Sequence, residues 1–252
     1  MKLSIIIPAY NEEKRIRPTL NEYASFFYNL YKKDFEILVI LNACTDKTLD
    51  VVKEVSKKYK EIRCIDISKK IGKGGAIIRG FKLTKGELVG FVDADNATKV
   101  KVFNDLIEKL NGFDGVVASR WIKGARINKK QPFLRRIASR AFNLIVRMLF
   151  GINISDTQCG AKLFRKKAVD AVADKLGITK WAFDIDLLYQ LDKKGFKIGE
   201  IPTEWHDREE SKLKIGKASL EMLLAVIRLR LIYSPFKFVV DIYNKVYDFF
   251  IK

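Results

Sequence analysis

The sequence predicts an α/β fold, a mostly parallel central sheet with helices on both faces. Two observations carry that expectation. Short apolar runs alternate with segments of helical spacing through the first half of the chain. The runs are continuous rather than alternating in polarity, as strands buried on both faces require. A third observation concerns position. Polar clusters stand directly after three of the runs, and ligands of such sheets bind beyond the carboxyl ends of the strands.

The elements follow in order. "KLSIIIPAY" is a buried strand, followed by a helix from about Pro18 to Tyr31. "FEILVILNA" is a second strand, with a helix near Asp46 to Tyr59, and "IRCIDIS" a third. "GKGGAIIRGFKLT" opens on glycines and continues as a helix; "LVGFVDAD" is a fourth strand, "VKVFNDLIEKL" a helix and "GVVASRW" a fifth strand. A basic loop from Lys123 to Gln131 leads into "PFLRRIASRAFNLIVRMLFG", an amphipathic helix with Arg136, Arg140 and Arg147 on one face. "WAFDIDLLYQLDKKG" is a further helix, and "FKIGEIPTEWHDREESK" a last strand with a charged loop. The clusters at Pro8 to Glu12, Asn42 to Asp46 and Asp93 to Asp95 are therefore expected on one rim.

Bulk composition bounds the function. A length of 252 residues with 48% hydrophobic content suits one large domain, or one domain with a tail. With 48 Lys+Arg against 30 Asp+Glu, the net charge of +18 attracts polyanions. A basic nucleic-acid-binding protein is one reading of that charge, and a generally Lys-rich surface is another. The cysteines, Cys44, Cys64 and Cys159, form neither a CxxC nor a Cys/His cluster, so zinc and a disulfide framework are not expected. The run at the N-terminus is too short for a signal peptide. The most apolar late stretch, "ASLEMLLAVIRLRLIYSPF", is interrupted by Glu221, Arg228 and Arg230, so no transmembrane helix is expected.

Asp93 and Asp95 flank Ala94 at a strand end, where two repelling carboxylates need a compensating cation. Mg²⁺ or Mn²⁺ shared with phosphate oxygens of a substrate meets that need; an acidic N-cap is the plainer alternative. "GKGGA", with Lys73, has the composition of a phosphate cradle or of a tight turn, and is not a P-loop. Tyr10 and Glu12 suit a base and a ribose, or simply the turn around Pro8 and Asn11. Trp181 is a minor candidate for stacking on a sugar, while His206 reads as a loop residue rather than a base. A nucleotidyltransferase is disfavoured because "PAYNEEKR" stands where its Gly-rich loop would be.

"SIIIPAYNEE", "LNACTDKT", "GKGGAIIRG", "DADNATK", "DTQCGAKLFR" and "WAFDIDLLY" occur in this order. Together they resemble glycosyltransferase family 2, and in particular its dolichyl-phosphate glucosyltransferase branch, from about Lys2 to Lys212. The resemblance implies a GT-A fold over 1–212, a nucleotide-diphosphate sugar donor, a divalent metal (Mg²⁺ or Mn²⁺) and inversion at the anomeric carbon. UDP-glucose is the first choice of donor; GDP-mannose and UDP-N-acetylglucosamine are the alternatives.

By the same resemblance, Pro8, Tyr10 and Glu12 hold the nucleoside. Asn42 stands where many members carry an Asp that contacts base or ribose. Asp93, Ala94 and Asp95 hold metal and diphosphate. Arg120, Arg135 and Ser139 contact the acceptor phosphate, and Arg208 and Lys212 belong to a mobile basic loop over the diphosphate. Apart from the resemblance, Asp184 or Asp186 is a candidate for orienting sugar or acceptor, ranked below the metal pair. The acceptor is a polyprenyl (dolichyl) phosphate, so a peripheral position on the cytoplasmic face of a membrane is expected, with no nucleic-acid partner. The 213–252 segment is expected as amphipathic helices. Within Lys237 to Lys252, Val239, Ile242, Tyr243, Val246, Tyr247 and Phe250 share one helical face suited to a membrane surface or to packing on protein.

Overall fold

A computed structural model describes residues 1–127, 133–177, 182–205 and 215–240. The strands are β1 (Leu3–Ala9), β2 (Phe35–Asn42), β3 (Ile62–Ile67), β4 (Leu88–Phe91), β5 (Gly115–Ser119), β6 (Arg126–Ile127), β7 (Lys162–Arg165), β8 (Ile198–Pro202) and β9 (Glu204–Trp205). The helices are α1 (Ile16–Tyr31), α2 (Thr48–Lys58), α3 (Gly72–Phe81), α4 (Val100–Glu108), α5 (Phe133–Phe150), α6 (Lys166–Val172), α7 (Phe183–Lys193) and α8 (Ile215–Ile232).

Seven strands form one sheet in the order β3-β2-β1-β4-β7-β5-β8; β6 and β9 make a separate parallel pair. All pairings in the large sheet are parallel except those of β7, which runs antiparallel between β4 and β5. The mostly parallel sheet thus agrees with the sequence pattern. The insertion of β7 was not expected, because "KLFR" begins and ends in basic residues. The single last strand expected near Phe196 is two short ones that join different sheets.

The pleat sorts the core. Leu3, Ile5, Ile7, Ile37, Val39 and Leu41 face one side, with α1, α2 and α4 packed over them. Ile6, Leu38, Ile40, Val89 and Phe91 face the other, under residues of α3, α5, α6, α7 and α8. α8 enters this second layer through Val226 and Leu229. Leu220, Leu224 and Ile227 are exposed, so the described part of α8 carries apolar residues on its outer as well as its buried side. Of the stretch from Lys237 to Lys252, residues 237–240 are helical with Val240 buried, and 241–252 lie outside the described residues. No helix among the described residues is long and apolar enough to cross a membrane.

Candidate functional site

Three strands end at one rim, and the loops after β1 and β2 are tied together. Asn11 Oδ1 accepts from Thr45 N (2.8 Å), Glu12 N donates to Thr48 Oγ1 (2.8 Å), and Lys47 N donates to Glu13 Oε2 (3.0 Å). Asn11, Ala43 and Asn96 adopt positive φ of 54°, 53° and 57°, one just beyond each of β1, β2 and β4. Backbone strain of this kind persists where surrounding structure over-determines it, commonly at ligand sites. The cleft between these loops has a volume of about 190 Å³ and is lined by Pro8 to Tyr10, Glu12, Asn42, Lys73, Ala76 and Asp93 to Asp95. The three sequence-predicted clusters therefore meet in one cleft.

Tyr10 is exposed on its lip, with Lys70 Nζ 4.5 Å from the ring centroid and 3.3 Å from the hydroxyl. The Glu12 carboxylate takes both Nε and a terminal nitrogen of Arg15 at 2.7 Å. Asn42 is buried, and its Oδ1 accepts from Ile71 N (2.7 Å) and Gly72 N (3.2 Å). Those two amides at the start of α3 are thus already occupied. The opening of "GKGGA" is thus a turn capped by Asn42. Its glycines serve packing: a Cβ on Gly74 would lie 2.6 Å from Phe183 Cβ.

The Asp-Ala-Asp turn is held from α1. Thr19 Oγ1 donates to Ala94 O (2.8 Å), Tyr23 OH to Thr98 O (3.1 Å), and Glu22 accepts from Asn96 Nδ2 (2.9 Å). Asp95 Oδ1 accepts from Ala97 N (3.0 Å), so the local turn chemistry is present as well. Asp93 Oδ1 pairs with Lys73 Nζ at 2.5 Å. Burial, then the charge of Asp93, pushes the Asp95 carboxyl above its usual range. Burial likewise raises Glu12 despite Arg15, with Asp95 and Asp93 adding to the rise. Desolvation works against the Lys73 charge, but Asp93 and Asp184 outweigh it, and its ammonium is held more firmly than usual.

Among the described residues no group of three or more His, Cys, Asp or Glu forms a ready metal cage. The donor set does fit a hard divalent cation that takes the rest of its ligands from phosphate. Two carboxylates face one cleft, and burial first, then their neighbouring negative charges, raise Asp95 and Glu12 against the opposing pull of Arg15.

Behind Asp93 lies a feature that sequence reasoning missed. Lys162 is fully buried, and its Nζ donates to Cys159 O and Asp184 Oδ1, both at 2.6 Å, while lying 5.2 Å from the Phe91 ring centroid. A Cβ on Gly160 would stand 2.2 Å from Asp93 Oδ2. "CGAK" therefore packs against Asp93 and fixes Asp184, at the first turn of α7. Asp186, two residues on, points elsewhere. It accepts from Gly177 N (3.0 Å) and Tyr233 OH (2.6 Å), joining α7 to the end of α8. Neither Asp184 nor Asp186 is among the residues lining the cleft, and Asp186 is engaged in an anchoring contact.

Arg120 is held by buried Asp156: Nε to Oδ2 at 2.7 Å, a terminal nitrogen to Oδ1 at 2.9 Å, and the Arg120 backbone N to Oδ2 at 3.0 Å. Burial opposes the Asp156 charge, yet Arg120 wins and holds its carboxyl below the usual range. Arg120 thus carries a structural ion pair in addition to any part in binding. Arg140 and Arg120 lie 5.2 and 5.7 Å from the Trp121 ring centroid. Trp121 Nε1 is buried and has no hydrogen-bond partner among the described residues. Ser139 O accepts from Asn143 Nδ2 (3.0 Å), and Asn143 Oδ1 accepts from Thr157 N and Oγ1 (3.0 Å each). This contact pins α5 beside Asp156. Arg135 belongs to α5 without a described side chain; Trp181, His206, Arg208 and Lys212 lie outside the described residues.

Residues 4–173 match the pattern of Glycosyl transferase family 2. The chain belongs to this family. It is 34% identical over 243 residues to a dolichyl-phosphate beta-glucosyltransferase of Dictyostelium discoideum, covering 92% of this chain and 74% of the relative. It is 33% identical to one from Homo sapiens, covering 92% and 76%. The fold is similar to that of glucosyl-3-phosphoglycerate synthase from Mycobacterium tuberculosis, solved with Mn²⁺, uridine diphosphate and phosphoglyceric acid (TM-score 0.63, 18% identity, 90% of this chain and 77% of that one). It is also similar to S. aureus TarS in complex with UDP-GlcNAc (TM-score 0.59, 17% identity, 93% and 68%). The family-2 motifs fall on the cleft: "PAYNEE", "LNACTD", "GKGG" and "DAD" supply its lining, and "CGAK" its backing.

Proposed function

We propose that the protein transfers glucose from UDP-glucose to a polyprenyl phosphate of the dolichyl type, with inversion at the anomeric carbon. The observation that carries the reading is the convergence of Asp93, Asp95, Lys73 and Tyr10 in one cleft, in a chain 34% identical to a dolichyl-phosphate beta-glucosyltransferase.

In this reading Tyr10 and Pro8 hold the nucleoside, with Glu12 near the ribose. The Asn42 oxygen is spent on α3, so its amide N–H₂ is the part left to meet a carbonyl of the base. Asp93 and Asp95 hold Mg²⁺ or Mn²⁺. When bound, the cation supplies positive charge to the diphosphate leaving group. Lys73 adds a fixed cation, and Arg208 and Lys212 are assigned to the same task from sequence. The bond from the anomeric carbon to the diphosphate oxygen breaks, and its electron pair leaves with UDP. An acceptor phosphate oxygen forms the new bond from the opposite face. A phosphate monoester has a second pKa of about 6 and is mostly dianionic at neutral pH, so no strong base is needed. Asp184, held by Lys162, orients the sugar or the acceptor. Arg120, Arg135, Ser139 and the Trp121 indole N–H form the acceptor-phosphate side, Arg120 with its charge partly offset by Asp156. A lipid acceptor gives the protein a peripheral position on the cytoplasmic face of a membrane, with the 1–212 region as catalytic unit.

The test is incubation with Mn²⁺, dolichyl phosphate and radiolabelled UDP-glucose, GDP-mannose or UDP-N-acetylglucosamine in parallel. Label from UDP-glucose in the organic phase is expected. Label from another donor alone moves the sugar assignment, and none from any donor overturns the reading.

A further inference from the structure

Lys73 reaches Asp93 from the first turn of α3, with Nζ 2.5 Å from Oδ1. It therefore occupies the oxygen that a cation held by the Asp-Ala-Asp turn would need. The other Asp93 oxygen, Oδ2, has Gly160 packed against it, since a Cβ there would overlap it. Asp95 Oδ1 is taken by Ala97 N. Of the four carboxylate oxygens, only Asp95 Oδ2 makes no such contact among the described residues. The turn is acidic, but in this state it offers one open oxygen.

The pair with Lys73 can open without disturbing the fold. Both side chains are 38% exposed, so neither is locked into the core. α3 itself is fixed: Asn42 caps its start, and Gly74 lies against Phe183 without room for a methyl group. Movement is left to the flexible four-carbon stem of Lys73, which carries a compact, strongly hydrated charge. A hard divalent cation takes one or two carboxylates together with phosphate oxygens. Lys73 has to leave Asp93 before both carboxylates can serve. With no nucleotide present, its ammonium then faces a dication at short range, and its own counter-ion is gone. Asp184 is the next carboxylate acting on it after Asp93, and Lys162 already holds that group. A diphosphate in the same cleft supplies the negative charge that Lys73 has lost.

We propose that Lys73 is an internal stand-in for the cation, holding Asp93 in the empty protein and yielding it only when a nucleoside diphosphate arrives to receive the ammonium. Cation and donor are thereby made to bind together. The proposal rests on the reading of the cleft as a site for a divalent cation and a nucleotide diphosphate, and concerns the coupling between the two.

Calorimetry on the full-length protein measures Mn²⁺ alone, then UDP with and without Mn²⁺. Wild type is compared with Lys73→Met and with Lys70→Met. Lys70 rests on Tyr10 rather than on either aspartate, so its removal controls for net charge. Wild-type protein should bind Mn²⁺ weakly by itself and much more tightly with UDP. Lys73→Met should bind Mn²⁺ alone at least about tenfold more tightly, and the factor by which Mn²⁺ strengthens UDP should fall at least about tenfold. Lys70→Met should leave the affinity for Mn²⁺ alone little changed.

An affinity for Mn²⁺ alone that is unchanged or weaker in Lys73→Met overturns the proposal. So does an equal gain in Lys70→Met, which assigns the effect to net charge. Wild-type protein that binds Mn²⁺ as tightly without UDP as with it overturns the proposal with no variant needed. Absence of Mn²⁺ binding to wild type even with UDP sinks the cation reading of Asp93 and Asp95, and the proposal with it.

Discussion

At the scale of single residues, the site is built on a charge conflict. The raised Asp95 carboxyl means that the folded protein holds that proton more tightly than an unfolded chain. Ionising Asp95 therefore costs stability, and apo-protein stability falls as pH rises through its raised pKa. Asp95→Asn keeps an acceptor for Ala97 N and removes the conflict. It is expected to stabilise the metal-free protein by about 1 kcal/mol, roughly 2–4 °C in Tm for a chain of this size. The same change should remove Mn²⁺-dependent UDP binding in calorimetry. In the wild type that binding should weaken as pH drops and protons compete for Asp95. Gly160→Ala tests the wall of the site, since its methyl would drive into Asp93. At least a tenfold loss of Mn²⁺-dependent UDP affinity is expected, on the order of 1.4 kcal/mol, with the fold retained.

Lys162 and Asp184 are a buried pair, so each single truncation strands a charge. Lys162→Met should cost about 3–5 kcal/mol in denaturant unfolding. The double variant with Asp184→Asn should recover much of that stability but not the activity. Additive losses would show that the pair is not coupled.

At the scale of elements, α7 separates two carboxylates that sequence could not tell apart. Asp184 and Asp186 are two residues apart, which turns them to nearly opposite sides of the helix. Asp184→Asn strands the buried Lys162 charge, so it should lower Tm as well as kcat. Asp186→Asn should lower Tm with little change in kcat, because it weakens the contact with Tyr233 and so the hold on α8. Comparable losses of kcat in both variants would contradict this division.

The strands β1 and β2 were legible because they are continuous apolar runs buried on both faces, and the rim followed from where those runs stop. β7 was not, because Lys162 at its start is buried only by virtue of Asp184, 22 residues away. Arg120 was legible as a phosphate-binding type of residue. Its partner Asp156, 36 residues on, was not, and that partner converts a bare cation into half of a structural pair. The hold that Thr19 and Glu22 keep on the Asp-Ala-Asp turn was equally hidden, since α1 reads as an ordinary core helix.

At the scale of the molecule, the strand ends of one sheet gather the candidate site at a single rim. The net charge of +18, which alone suited nucleic acid as well as lipid, suits the proposed donor diphosphate and acceptor phosphate. The central claim is that an acceptor phosphate displaces UDP from the anomeric carbon by direct attack. The most direct measurement is NMR of the product formed from UDP-α-glucose, Mn²⁺ and a short polyprenyl phosphate. The account predicts a β-glucosyl phosphate as the sole glucosylated lipid. An α-linked product, or release of free glucose without lipid product, would contradict it.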